Sequence, residues 1–250
     1  MDEYKDAISN IVDSLRFFGK VLKGVSAWWN DHQEVIKQLL SGLLVFANWY
    51  GASEKMIDKQ IVFTDAITDH FAEEINNTDN IEKLVRKYYF DNEQEKFNEL
   101  FYRCTEYKQV SSFNTLFKQI CNSYKNRDYE ICCIALFTIT DGLLSIVSND
   151  NSPKFKRRID ALREKVDKRT SLSDFDRRVL TVYTAMYKFD KSVFAFSNFD
   201  LEETKIEGIN RHWLLHGRTN KDYDEFDVLK VLLWIEALII MDDYEKAIED

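Results

Sequence analysis

Proline and glycine are scarce. One proline, Pro153, and seven glycines in 250 residues leave few turn residues for short strands joined by tight turns. The expectation is therefore an all-α chain of long helices with few connections. Cysteine is scarce too. Cys104, Cys121, Cys132 and Cys133 contain no C-x-x-C pair, and the last two are adjacent inside an apolar run. That argues against a zinc knuckle or a disulfide framework and predicts reduced thiols, as in a cytoplasmic protein. The N-terminal "MDEYKDAISNIVDSL" is acidic and has no apolar core of a signal peptide. The apolar stretch Leu39–Gly51 is shorter than the roughly 20 residues of a membrane span and reads as a buried helix. No membrane association is expected. Nucleotide-binding glycine loops, a G-x-S-x-G nucleophile elbow and an H-E-x-x-H metal motif are all missing.

What is present is a folded, soluble composition: 45% apolar and 31% charged residues allow a sizeable core. A net charge of −9 argues against broad electrostatic adhesion to nucleic acid or anionic lipid, though not against a local basic patch. Helical spacing runs through residues 3 to about 50. Asn30 or Asp31 with Glu34 forms a candidate capping box, and Gly51 is a candidate stop. Further helices are expected over Glu54–Asn76 and Asp79–Tyr89, and at helical intervals from Asn92 to Lys125. Asp128–Pro153 is apolar almost all round and reads as a central bundle helix, although "ICCI" and "TIT" are also strand-like. "SNDNSP" makes a loop. A basic stretch follows, in which Lys154, Lys156, Arg157, Arg158, Arg163, Lys165, Lys168 and Arg169 are interleaved with acids. It suits a solvated helix face or an RNA backbone. Asp174 or Ser173 opens the next helix, and Asp222 with Glu225 opens the last. The expected organisation is an N-terminal helical region, 1–125, and a C-terminal bundle, 126–250.

Histidine carries the remaining chemistry. His70 precedes Glu73 and Glu74 at helical spacing on what reads as a solvated face, and His32 lies near a helix start. His212 and His216 fall within "NRHWLLHG", Asn210–Gly217. Spaced i and i+4, the two imidazoles share a helix face and could hold zinc, but no third ligand or base accompanies them. They could equally be surface residues beside a buried "WLL". A third reading is phosphodiester cleavage. Histidine moves protons near neutral pH, and a guanidinium stabilises charge on phosphorus oxygens. On a regular helix Arg211 and His216 are about 140° apart. They converge only if the helix breaks near Gly217 or if two chains pool their residues.

The string Arg211–His216 resembles the R-x(4–6)-H signature of HEPN-domain proteins, with His212 in the polar place after the arginine. "ALFTITDGLL" resembles their central helix, with Asp141 at its acidic position. The resemblance implies an α-helical bundle that forms a homodimer and unites two motifs in one cleft. It implies a metal-independent endoribonuclease of phage defence, abortive infection or toxin systems, needing no cofactor. Arg211 and His216 would be catalytic, His212 assisting and Asn210 supporting. RNA and an antitoxin or other regulatory protein would be the partners. Some HEPN domains bind without cleaving, so a non-catalytic helical interaction protein is the alternative.

Overall fold

The computed structural model describes residues 26–64, 67–167, 174–194 and 208–249. Among these no strand occurs, and the fold is all-α. The helices are α1 (Ser26–Ile57), α2 (Asp69–Asn77), α3 (Ile81–Glu106), α4 (Asn114–Lys125), α5 (Tyr129–Ser148), α6 (Phe155–Asp167), α7 (Asp174–Val193), α8 (Arg211–Leu215) and α9 (Glu225–Glu249), with a 3-10 segment at Lys108–Phe113. The chain forms two compact units, 1–45 and 46–250. Residues 125 and 126 both lie inside the second. The helical spacing expected over residues 3–25, the Ser173 cap and the side chains of Arg163, Lys165, Lys168 and Arg169 lie outside the described residues.

Most of the second unit is organised by two apolar helices, α5 and α9, packed along each other. The "ICCI" and "TIT" segments of α5 are helical throughout. By length and composition α5 is the one described helix able to cross a bilayer, but 56% of its apolar window is buried. Its apolar side chains pack a core. The more enclosed helix is α9: from Phe226 to Leu238 every residue is buried. Such a helix has no solvent face and must be surrounded. Trp234 sits at its centre, with the rings of Phe194, Phe155 and Phe189 at 4.9, 5.5 and 5.7 Å.

Local chemistry sets the helix ends, and several differ from expectation. Gly51 does not stop α1, which continues to Ile57. A β-carbon at Gly51 would lie 3.0 Å from Asn76 Oδ1, so this glycine serves close packing. The helix expected over Glu54–Asn76 is divided, because the chain turns at 58–60 and restarts where Thr68 Oγ1 accepts from Phe71 N. The Asn30 and Asp31 positions are interior to α1. Within α3, Asn92, Glu93 and Gln94 all take left-handed φ, which breaks the helix in its middle. The last helix is opened by Asp224 with Asp227, rather than by Asp222 with Glu225. Asp224 Oδ1 accepts from Phe226 N (2.9 Å) and Asp227 N (3.1 Å), while Asp227 Oδ2 accepts from Asp224 N (3.2 Å). This is a reciprocal capping box two residues along from the predicted one.

Candidate functional site

The motif folds as one isolated helical turn. Asn210 is buried in extended conformation, and its Oδ1 accepts from Trp213 N at 3.0 Å, which caps α8. The turn ends at once. Gly217 N donates to Leu214 O (3.1 Å) and Arg218 N to Trp213 O (2.9 Å), with Gly217 at φ +61°. These two bonds form a Schellman stop, which favours glycine in the left-handed position. Of "WLL", only Leu214 is buried; Trp213 is half-buried and Leu215 is exposed. The expectation of a three-residue core face therefore fails, because a five-residue helix presents too little surface to bury one.

A second strap holds the turn from upstream. The Gln60 side chain bonds both polar groups of Ile209: its Oε1 accepts from Ile209 N (2.6 Å) and its Nε2 donates to Ile209 O (3.0 Å). Gly208 makes room for it, at φ +89°, where a β-carbon would lie 2.1 Å from Gln60 Oε1. Gly208→Ala therefore meets both a clash and an unfavourable φ. The expected cost is about 2–4 kcal/mol, seen as a fall of roughly 4–16 °C in a thermal melt. An unchanged melting temperature would refute the strap.

Three of the candidate residues lie on this turn, and the side chains of two of them meet. The rings of His212 and His216 are 4.6 Å apart at 66°, edge to face, so the i, i+4 spacing does place them on one face. His216 is exposed at the helix end, where φ −97° and ψ 5° already leave the helix. Arg211 contacts two other elements. Its guanidinium carbon lies 5.5 Å from the Phe194 ring centroid, its Nη2 is 3.8 Å from Asp141 Oδ1, and its buried Nε has no hydrogen bond. Burial, then the neighbouring His216, then Arg211 lower the pKa of His212, so its neutral form is favoured at neutral pH. Asn210 differs from these three: its side-chain oxygen is committed to the helix cap. No group of three or more His, Cys, Asp or Glu able to hold a metal occurs among the described residues. His70, Glu73 and Glu74 are all exposed on α2.

Arg158 is a residue that the sequence pattern did not distinguish. Its neighbours Lys154, Lys156 and Arg157 are exposed, but Arg158 turns inward, and its side chain is 5% exposed. It belongs to the core of the site rather than to the solvated basic stretch. Its Nη2 donates to Asp141 Oδ1 (2.6 Å), and its Nη1 to Asp141 O (2.8 Å) and Ser145 Oγ (2.7 Å).

Asp190 on α7 is buried, and its Oδ1 has no hydrogen bond. Its pKa is pushed up to about 7 by burial first and by Asp160 second, against the opposing charges of Arg158 and Lys191. An acid whose folded pKa exceeds its unfolded value of about 3.9 stabilises the fold fully below that value. The contribution is lost as pH rises toward 7. Asp190→Asn is thus expected to raise the melting temperature more at pH 8 than at pH 5. An equal effect at both values would show that Asp190 keeps an ordinary acidity.

Arg211, His212 and His216 line none of the clefts formed by the described residues of the second unit. One of about 730 Å³ is lined by Arg86, Lys188, Lys221, Asp224, Asp227 and Lys230, among others. Its cations are largely matched: Arg86 pairs with Asp224, Lys188 with Glu54 and Lys221 with Asp227. No protein-family profile matches the chain, and neither the curated proteins nor the solved structures give a match.

Proposed function

We propose that this chain is a metal-independent endoribonuclease of HEPN type, cytoplasmic, acting as a homodimer in phage defence or a toxin system. The observation that carries the reading is the grouping of Arg211, His212 and His216 on one capped turn, with Asp141 facing Arg211 from α5. The chemistry needs no added group. A histidine takes the 2′-hydroxyl proton, and the 2′-oxygen bonds to phosphorus. The bond from phosphorus to the 5′-oxygen breaks, and that oxygen receives a proton from a second imidazole. His216 is accessible for proton transfer, with His212 beside it to assist. Arg211 supplies the fixed positive charge for the phosphorane oxygens.

A motif whose His216 is exposed at the helix end fits half of a composite cleft. A second copy placing its own turn opposite would double the donors and exclude water. Ile131, Ile146 and Leu215 are exposed apolar side chains, which suits such a partner or a regulatory antitoxin. The same exposure favours the second reading, a helical interaction module without catalysis. Purified protein with a chelator should cut single-stranded RNA to a 2′,3′-cyclic phosphate and a 5′-hydroxyl. The matching 2′-O-methyl strand should survive. Cleavage that requires metal, or that spares no 2′-O-methyl strand, would eliminate the mechanism. Background cleavage throughout would favour the interaction module.

A further inference from the structure

We propose that Arg158 is a positioning residue of this site: it claims the Asp141 carboxylate, so that Asp141 cannot close on Arg211 and the Arg211 guanidinium stays open to a phosphodiester. The proposal rests on the ribonuclease reading only for what Arg211 would bind.

A buried guanidinium is costly unless its donors are met. Here both terminal nitrogens are met by one short stretch of α5, while the buried Nε has no hydrogen bond. Three hydrogen bonds of 2.6 to 2.8 Å reach the carboxylate and carbonyl of Asp141 and the hydroxyl of Ser145, one turn further on. The Phe155 ring lies 5.3 Å from the guanidinium carbon, and Asp190, itself pushed toward its neutral form by burial, is within electrostatic reach of Arg158. These contacts fix Asp141 against its own helix. The same oxygen, Oδ1, faces Arg211 Nη2 at 3.8 Å, beyond hydrogen-bond length. One carboxylate oxygen therefore stands between two guanidiniums and bonds only one.

Burial does not hold Asp141 there, because its side chain is 39% exposed. A carboxylate free to swing would form a two-pronged pair with Arg211, the strongest arrangement available to either group. That pair would occupy the donors a phosphate needs. By bonding Asp141 first, Arg158 leaves Arg211 oriented by a nearby negative charge but not consumed by it.

The test is Arg158→Gln, alone and combined with Asp141→Asn. In the single variant, RNA cleavage is expected to fall by up to about a hundredfold, the size of the loss when a mutation away from the chemistry misplaces a reacting group by about an ångström. Adding Asp141→Asn removes the competitor and should recover most of that loss. The second readout is the NMR titration of His212, which four histidines in the chain make assignable. Arg211 is one of the charges that lower this group. Closure of Asp141 on Arg211 offsets that charge, so His212 should titrate at higher pH in Arg158→Gln and return in the double variant. Arg158→Lys keeps the charge but not the three-way reach, and should shift His212 in the same direction by less. It takes the place of the glutamine variant should that one not fold. A folded variant with unchanged His212 titration, or a double variant no better than the single, overturns the proposal. If the wild-type chain cleaves no RNA, the ribonuclease reading fails by itself, and the titration still decides the role of Arg158.

Discussion

Arg211→Ala is expected to lower RNA cleavage by about a hundred- to a thousandfold, the scale of removing one preorganised donor from a developing oxyanion. The fold should be spared. The Arg211 side chain is 29% exposed, and the turn that carries it is held by the Asn210 cap, the Gln60 strap and the Gly217 stop, none of which uses the guanidinium. His216→Ala should lose about a hundred- to ten-thousandfold, as expected for an acid or base. The two variants also ask whether the site is shared. If Arg211 of one chain works with His216 of its partner, mixing the two inactive proteins restores one intact site per mixed dimer, and cleavage reappears. If both residues act within one chain, mixing restores nothing. Wild-type rates in both variants would remove Arg211 and His216 from the reaction.

Trp234→Ala should cost about 3–5 kcal/mol and lower the melting temperature by roughly 6–20 °C for a unit of this size. The indole is fully buried and surrounded by Phe155, Phe189 and Phe194. Its Nε1 has no hydrogen-bond partner, so the loss comes from packing alone. Phe155 and Phe194 stack with centroids 3.7 Å apart, and Phe194 lies under Arg211. A hole at Trp234 therefore loosens the platform of the site, and cleavage should fall even at temperatures where the variant is folded. Trp234→Phe keeps a ring and removes the unbonded N–H, so it should cost far less. Equal melting temperatures for the alanine variant and wild type would mean that this aromatic cluster does not close the core.

Part of this organisation is legible in the residues. Scarce proline and glycine, with apolar side chains at helical intervals, account for the predominance of helices and the lack of strands among the described residues. The left-handed Gly217 ends α8 as its position beside "RHWLLH" predicts, because a stop signal of this kind is local. Gly51 misleads for the opposite reason. Its role is to admit Asn76, 25 residues away, and no local pattern reveals a close approach of that kind. Likewise, three consecutive left-handed residues at Asn92–Gln94 interrupt an otherwise helical sequence, and none of them is a glycine.

The site divides along the same line. The i, i+4 spacing of His212 and His216 is a property of one helical turn, so the sequence by itself determined that the two imidazoles would meet. It also determined the all-α class, since both depend on neighbours within a few residues. Tertiary structure alone decided that Asp141, some 70 residues before Arg211, would face it. It decided too that Gln60 would strap Ile209, and that one arginine of a basic run would turn inward while its neighbours stayed in solvent. Arg157 and Arg158 are chemically identical and adjacent. What separates them is the face of α6 that packs on α5, a choice made by the whole core.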